Sequence, residues 1–405
     1  MRRTTGDDSG YGDAVRILWS SPLPPTRTGV ADHAVELLSE LQRRTKVRVA
    51  TPPGWTSDTS WPFRPDDPQL VGHAAEPEGD EVNLVHLGNN PYHEWLLPRL
   101  TMPRTVVVLH DLVLHHLLTE TTLARGLPRE YRGLLIKAHG RAGAALADAR
   151  RWGAWARRDS FLFPARKAFL RGVVGVVVHS AWARDEVARE VPGRPVGRIA
   201  LAVRGPASVD RARQRMAIGA GDGDLVLMHL GYPSREKGLG TIITAAGAAA
   251  RLGISLRLVF VGETGAGMER SLAERTGLDG RVQFTGWVPQ DQLLRVPAAA
   301  DLGVVLRTPS AGETSAAAAR FLACGTPVAV NGQRQFLELP EIAAPRITPG
   351  LPAAAELVRV IARSAAEIGS TQGEARRRAA RRAWDERHRP DRAARELLGF
   401  LASAL

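Results

Sequence analysis

Short β-branched runs alternate with longer helical patterns through almost the whole chain, and that alternation is the signature of parallel sheets flanked by helices. The first series opens with the strand candidate Val15 to Ser20, passes a Pro-rich loop ending at Thr28-Gly29, and enters a helix. Val30, Ala34, Leu37, Leu38 and Leu41 fall on one face of a 3.6-residue period there. Val47 to Ala50, Val82 to Leu87, Val106 to Leu109 and Val173 to Val178 supply further buried strands, with an Arg/Ala-rich helical stretch over roughly 113 to 170. A second series runs through Asp224 to Leu230, Leu256 to Val261, Val282 to Phe284, Leu302 to Leu306 and Pro327 to Val330. The pattern loosens between the two series, at Val203-Arg-Gly-Pro-Ala-Ser, because Gly-Pro breaks regular structure.

The chain has 405 residues, which at ~150 residues per domain is room for two or three cores. The expected class is α/β with two doubly wound Rossmann-like domains: a disordered tail at 1–13, a first domain at 14–205, a linker at 206–222, a second domain at 223–385, and a C-terminal helix at 386–405. Apolar residues at 44% and charged residues at 24% fit a folded, non-membrane chain. No window reaches the ~18 uninterrupted apolar residues of a bilayer span, and the polar first 13 residues do not read as a secretory signal. Cys324, the only cysteine, excludes an intrachain disulfide framework or a cysteine-built zinc site and fits a cytoplasmic protein.

The surplus of basic groups gives a net charge of +12, suited to phosphate-bearing partners. Arginines spread among acidic residues read mainly as a solvated surface. The densest basic stretch, 125–171, carries Arg150, Arg151, Arg157, Arg158, Arg166 and Lys167 with Trp152, Trp155, Phe161, Phe163 and Phe169. These aromatics fit the buried side of helices, so nucleic-acid binding is not expected, whereas peripheral contact with a membrane face is kept as a partner reading.

In open α/β sheets, ligands bind beyond the carboxyl ends of the strands, so the loops there carry the candidate chemistry. Gly29 lets backbone approach a ligand at a helix start. Asn89, Asn90, His110 and Asp111 gather at one sheet edge. His115 and His116 follow on a helix, where adjacent positions point apart, and no metal site is assigned. In the second half, Arg235 and Lys237 end a strand and suit a phosphate. Gly262 and Gly286, the latter followed by Trp287 and Val288, permit close contact with a flat base. Thr314, Ser315 and Ala316 open an alanine-rich helix whose free N–H groups and dipole favour an anion. Glu313, just before that cap, would repel a diphosphate and so suits neutral sugar hydroxyls.

Taken in order, Pro24-Pro25 to Gly29-Val30, Gly88-Asn-Asn-Pro91, Leu109-His-Asp111, Val178-His-Ser180, Gly231 to Gly238, Phe284-Thr-Gly-Trp-Val288, Ala300-Asp301, Gly312-Glu-Thr-Ser315 and Ala323-Cys-Gly-Thr-Pro-Val328 resemble the retaining GT-B glycosyltransferases of glycosyltransferase family 4, group 1. The likeness spans nearly everything from Val15 onward. It implies two Rossmann-like domains facing a cleft, with a nucleotide-sugar donor held by the C-terminal one, an acceptor by the N-terminal one, and a last helix crossing back. It further implies that Lys237 and Arg235 hold the diphosphate with the amides of Thr314 to Ala316, that Gly286 to Val288 border the base, and that His110 lies beside the transferred sugar. Two positions depart from the family pattern: Tyr232 stands where an arginine usually follows the glycine, and Arg320 where a glutamate usually holds the nucleotide ribose.

The resulting expectation is a metal-independent, retaining transfer of a sugar from a nucleotide-diphosphate sugar to an acceptor hydroxyl, with no cofactor. His110 and Glu313 are the catalytic candidates. Gly29, Arg235, Lys237, Gly262, Gly286, Trp287, Val288, Thr314, Ser315, Ala316 and Arg320 are the donor-binding candidates, and Asn89, Asn90 and Asp111 the acceptor-binding ones. The alternatives are a sugar-nucleotide epimerase or a non-glycosidic coupling enzyme on the same fold, or a non-catalytic module binding an acidic polymer or membrane surface.

Overall fold

The computed structural model describes residues 15–57, 61, 63, 69–265, 268–278 and 280–404; the expected tail at 1–13 lies outside them. The chain divides into two compact units, one comprising residues up to Ala202 with Ala311–Thr314 and Pro390 onward, the other Val203–Ser310 and Ser315–Arg389.

The first unit holds a seven-stranded sheet of β1 (Ile17–Ser20), β2 (Val47–Ala50), β3 (Gln69–Val71), β4 (Val82–Leu87), β5 (Thr105–Leu109), β6 (Gly175–Val178) and β7 (Val196–Arg198), ordered β3-β2-β1-β4-β5-β6-β7. Every pairing is parallel. β1, β4, β5 and β6 are buried along their whole length, which is why they read as apolar runs. β3 and β7 were not expected: they are three-residue edge strands with polar or half-exposed positions, which leave no apolar run to read.

Helix α1 (Gly29–Leu41) is capped by Thr28, whose Oγ1 accepts the Ala31 N–H at 3.2 Å. Its buried Leu37, Leu38 and Leu41 share a core with Leu397, Leu398 and Leu401 of the final helix, Pro390–Ala404. The Arg/Ala-rich stretch resolves into α2 (His115–Thr121), α3 (Pro128–Arg151) and two short helical turns, with α3 broken at Gly140, where φ is +59°. Leu112, Leu117, Leu118, Tyr131 and Leu135 pack on the opposite face of the sheet.

The second unit repeats the plan with β8 (Leu225–Leu230), β9 (Leu256–Val261), β10 (Val282–Phe284), β11 (Leu302–Val305), β12 (Val328–Asn331) and β13 (Arg346–Ile347), ordered β10-β9-β8-β11-β12-β13 and all parallel. This is the doubly wound order, and both sheets have the α/β class that the alternation predicts. The stretch 206–222, read from sequence as linker, contains the helix Arg211–Ala217. Arg211 and Arg215 from it reach Asp301 at 2.5 and 2.9 Å, and Ile218 enters the core, so the stretch is part of the second unit. The two-residue β13 carries too little pattern to be foreseen.

Candidate functional site

The order of the second sheet reverses between β8 and β11, where the rule for open sheets places a ligand. The loops leaving those two strands touch, with Thr308 N–H donating to the Glu236 carbonyl at 2.8 Å. β8, β9 and β10 end on glycines that meet. Gly231 N–H donates to Val261 O at 2.8 Å, and Gly262 N–H donates to Gly286 O at 3.0 Å. Gly262 has φ +135°, and a Cβ there would stand 3.0 Å from the Gly231 carbonyl carbon, so only glycine fits.

Lys237 lies on the turn after β8. Its N–H donates to the Ser234 carbonyl at 3.1 Å and reaches Ser234 Oγ at 3.3 Å. Its side chain returns along the turn, placing Nζ 3.1 Å from where a Gly231 Cβ would be. An ammonium group therefore stands over the glycine junction. Arg235, on the same turn, is exposed. Beneath this turn, burial and then the Lys237 charge push the His229 imidazole down to about 3. Trp287 is 50% exposed, and Val288 packs against the core.

Ser315 caps the helix Ala316–Ala323, its Oγ accepting the Ala318 N–H at 3.3 Å. The first-turn amides of that helix have no intrahelical acceptor by geometry. Thr314 is the last residue of the segment that groups with the first unit, and Arg320 is buried on the helix.

In the first unit, His110 follows β5 directly, and its N–H donates to the Leu87 carbonyl at 2.9 Å. Its ring is enclosed by histidines from three other elements. His86 Nδ1 lies 3.0 Å from its Nε2, His179 Nε2 lies 3.3 Å from its Nδ1, and the His33 ring stands edge-on at 5.2 Å between centroids. Burial, reinforced by His179, His33, His86 and His93, holds the His110 pKa well below the ordinary imidazole value. Burial does the same to His86 and brings His93 and His179 to about 4, so these rings are neutral near pH 7.

Asp111 Oδ2 accepts the Asn89 N–H at 2.8 Å, and Asn89 Oδ1 accepts the N–H groups of His116 and Leu117 at 2.9 and 3.1 Å, holding the start of α2. Asn90 Oδ1 accepts the Tyr92 N–H at 3.1 Å and caps the next turn. Asn89 and Asn90 thus shape the loop after β4. Gly29 opens α1, with nothing within 4 Å of a Cβ placed there. Glu313 belongs to the segment Ala311–Thr314 of this unit, which is tied down where the Leu112 and Val113 N–H groups donate to the Ala311 carbonyl at 2.7 and 3.2 Å.

His33, His86 and His93 were not singled out from sequence, and His179 only as part of a motif. The available signal was a histidine in or just after each of three adjacent strands, β4, β5 and β6, which the doubly wound order brings together. His115 and His116 do not join the cluster. His115 reaches the Phe163 carbonyl at 2.6 Å and the Tyr131 hydroxyl at 2.8 Å, while exposed His116 faces Glu120 at 3.7 Å.

In the basic stretch, Arg166 is buried, donating to the Leu112 carbonyl at 2.8 Å and to Glu190 at 2.7 Å. Phe169 is buried, whereas Trp152 is 81% exposed and the Arg150 guanidinium lies 4.1 Å from the half-exposed Trp155 ring. Among the described residues, no helix is long and apolar enough to cross a membrane.

Residues 224–356 match the family model described as glycosyl transferases group 1. Among curated proteins none matches the sequence. Several solved structures share the fold across nearly the whole chain. HepE from Anabaena, solved in complex with UDP and glucose, is 16% identical with a TM-score of 0.60, covering 96% of this chain and 100% of its own. A sucrose-phosphate synthase from Thermosynechococcus elongatus is 16% identical with a TM-score of 0.62, covering 95% and 97%. WaaG, a glycosyltransferase involved in lipopolysaccharide biosynthesis, is 17% identical with a TM-score of 0.59, covering 94% and 98%. The glycine junction with its lysine lies inside the matched segment. Residues 224–356 match a group 1 glycosyltransferase domain, and the chain as a whole shares its fold with these solved structures.

Proposed function

We propose that the protein transfers a sugar from a nucleotide-diphosphate sugar to an acceptor hydroxyl with retention of anomeric configuration and without a metal ion. The observation that carries this reading is the Lys237 ammonium standing over the Gly231–Gly262–Gly286 junction, at the end of the sheet where ligands bind. HepE, which shares the fold, is described as bound to UDP and glucose, which supports a nucleotide-sugar donor here.

In the reaction, the bond from the anomeric carbon to the diphosphate oxygen breaks and a bond to the acceptor oxygen forms. The acceptor proton passes to the departing diphosphate. Negative charge grows on that leaving group, and Lys237, Arg235 and the amides at Thr314 to Ala316 stabilise it where it develops. Gly286, Trp287 and Val288 border the base, Gly262 and Gly29 allow backbone approach, and Arg320 takes part in donor selection. From the first unit, Glu313 serves the sugar hydroxyls, His110 lies beside the transferred sugar, and Asn89, Asn90 and Asp111 shape the acceptor side.

A panel of UDP, GDP, TDP and ADP sugars, read by thermal shift and by nucleoside-diphosphate release, tests the reading. One donor class is expected to stabilise the protein, by about 2.7 kcal/mol at about 100 times its Kd, and the NMR spectrum of the product to show the donor's anomeric configuration. Lys237→Ala is expected to weaken donor binding. Full donor affinity in that variant would remove the phosphate assignment, and inversion at the anomeric carbon would remove the retaining mechanism.

For localisation, we infer a cytoplasmic protein whose first unit touches a membrane face. The supporting observation is that Trp152 and Leu162, 81% and 74% exposed, lie in the same stretch as Arg150, Arg151, Arg157 and Arg158. Flotation with anionic vesicles, lost at high salt and in Trp152→Ala, is the expected result. Equal recovery with neutral vesicles would contradict it.

A further inference from the structure

We propose that the histidine cluster of the first unit binds a divalent transition ion of the zinc class, with His33, His86 and His110 as ligands. One ring nitrogen from each of these residues lies within 4.8 Å of the other two. Tetrahedral zinc with Zn–N bonds of ~2.1 Å needs nitrogens about 3.4 Å apart, so the rings must close in by little more than an ångström. The His86 and His110 nitrogens already lie 3.0 Å apart.

The surroundings have the features of a metal shell. Ligating histidines commonly donate their second ring N–H to a carbonyl, which fixes the tautomer and aims the other nitrogen at the ion. His33 Nδ1 lies 3.2 Å from the Ala202 carbonyl, leaving Nε2 as the donor atom for a metal. His86 can present either nitrogen: Nδ1 faces His110, and Nε2, in a side chain with no exposed surface, has no hydrogen-bond partner. His179 adds another imidazole, its Nδ1 held 3.0 Å from the Ile199 carbonyl and its ring centroid 5.5 Å from that of His33. His110 is only half-buried and gives the ion a way in.

The donor set also selects the ion. Three neutral imidazoles with no carboxylate suit Zn²⁺, Co²⁺, Ni²⁺ or Cu²⁺ and offer nothing to Mg²⁺ or Ca²⁺, which take oxygen ligands. The transfer reaction proposed above does not use this ion.

The test is metal binding to the purified chain after chelator treatment and dialysis. Zn²⁺ is titrated against a chromophoric chelator, and Co²⁺ is followed by its visible absorption. Expected are one tight equivalent, an intense tetrahedral Co²⁺ band, and no competition from millimolar Mg²⁺. His33→Gln and His110→Gln, each checked for native circular dichroism, are expected to weaken Zn²⁺ at least about tenfold, whereas His116→Ala leaves it unchanged. The proposal is overturned if the folded wild type binds no Zn²⁺, if both glutamine variants keep its affinity, or if affinity falls only in His116→Ala. None of these readouts depends on sugar transfer.

Discussion

His86 Nδ1 lies 3.0 Å from His110 Nε2, and the far side of the His110 ring lies 3.3 Å from His179 Nε2. These contacts fix a proton order. The Ile199 carbonyl can only accept, so the His179 Nδ1 beside it carries a hydrogen and its Nε2 is a lone pair. His110 must then donate from Nδ1 and accept at Nε2 from the His86 Nδ1–H. In metal-free protein at pH 7, long-range proton–nitrogen NMR is expected to show His179, His110 and His86 all as the Nδ1–H tautomer. An Nε2–H tautomer at His110 would break the chain of inference.

A separate histidine sets part of the pH dependence of stability. His229 in β8 is buried, with Nδ1 3.2 Å from the Val304 carbonyl, and its pKa is about 3 in the folded chain against about 6.5 unfolded. Well above pH 6.5 the ring is neutral in both states and has no pH effect. Below that, the unfolded chain takes up a proton that the native one refuses, and stability falls until pH approaches 3. The loss attributable to this ring is about 2 kcal/mol between pH 7.5 and 5. Denaturant unfolding of wild type and His229→Asn at both pH values checks it: the difference between them should shrink by about that amount at pH 5.

The sheets were legible because β1, β4, β5, β6, β8, β9 and β11 are buried on both faces and must be apolar along their length. β3, β7 and β13 were not, since short edge strands satisfy few such constraints. At the site, glycines and cations after strands could be read singly, because each strand end is a place for a ligand. Their meeting at Gly231, Gly262 and Gly286 depends on strand order, which no local pattern encodes. The histidine cluster was hidden for the same reason. His33 and His179 are 146 positions apart and look like isolated core histidines until β1, β4, β5 and β6 are set side by side.

Gly312 gives a steric prediction. Its φ is +79°, and a Cβ there would lie 2.8 Å from Leu112 Cγ, next to the bonds from Leu112 and Val113 to the Ala311 carbonyl. Gly312→Ala must strain its backbone and displace Leu112, at a cost of about 1–3 kcal/mol. Because Glu313 is the next residue, turnover should fall along with thermal stability. An alanine variant with both wild-type Tm and wild-type turnover would contradict this reading of the segment.

Asp301 anchors the helix Arg211–Ala217 to the second unit. Its carboxylate accepts from Arg211 at 2.5 Å, Arg215 at 2.9 Å and Arg377 at 3.4 Å, and from the Val226 N–H at 2.9 Å. The carboxylate is nearly buried, and burial lowers Arg377 to about 10 even with that anion beside it. Removing the anion leaves a set of guanidinium groups around an empty centre, which typically costs about 3–5 kcal/mol for a broken buried pair. Asp301→Asn keeps the shape and one acceptor but not the charge, so Asp301→Ala should be the more damaging and Asn intermediate. Urea unfolding of the three proteins checks the order. If Asn and Ala both unfold at the wild-type midpoint, the arginines are held by packing and by the Ala298 and Ala300 carbonyls that Arg211 also reaches at 3.0 and 2.7 Å, rather than by the carboxylate.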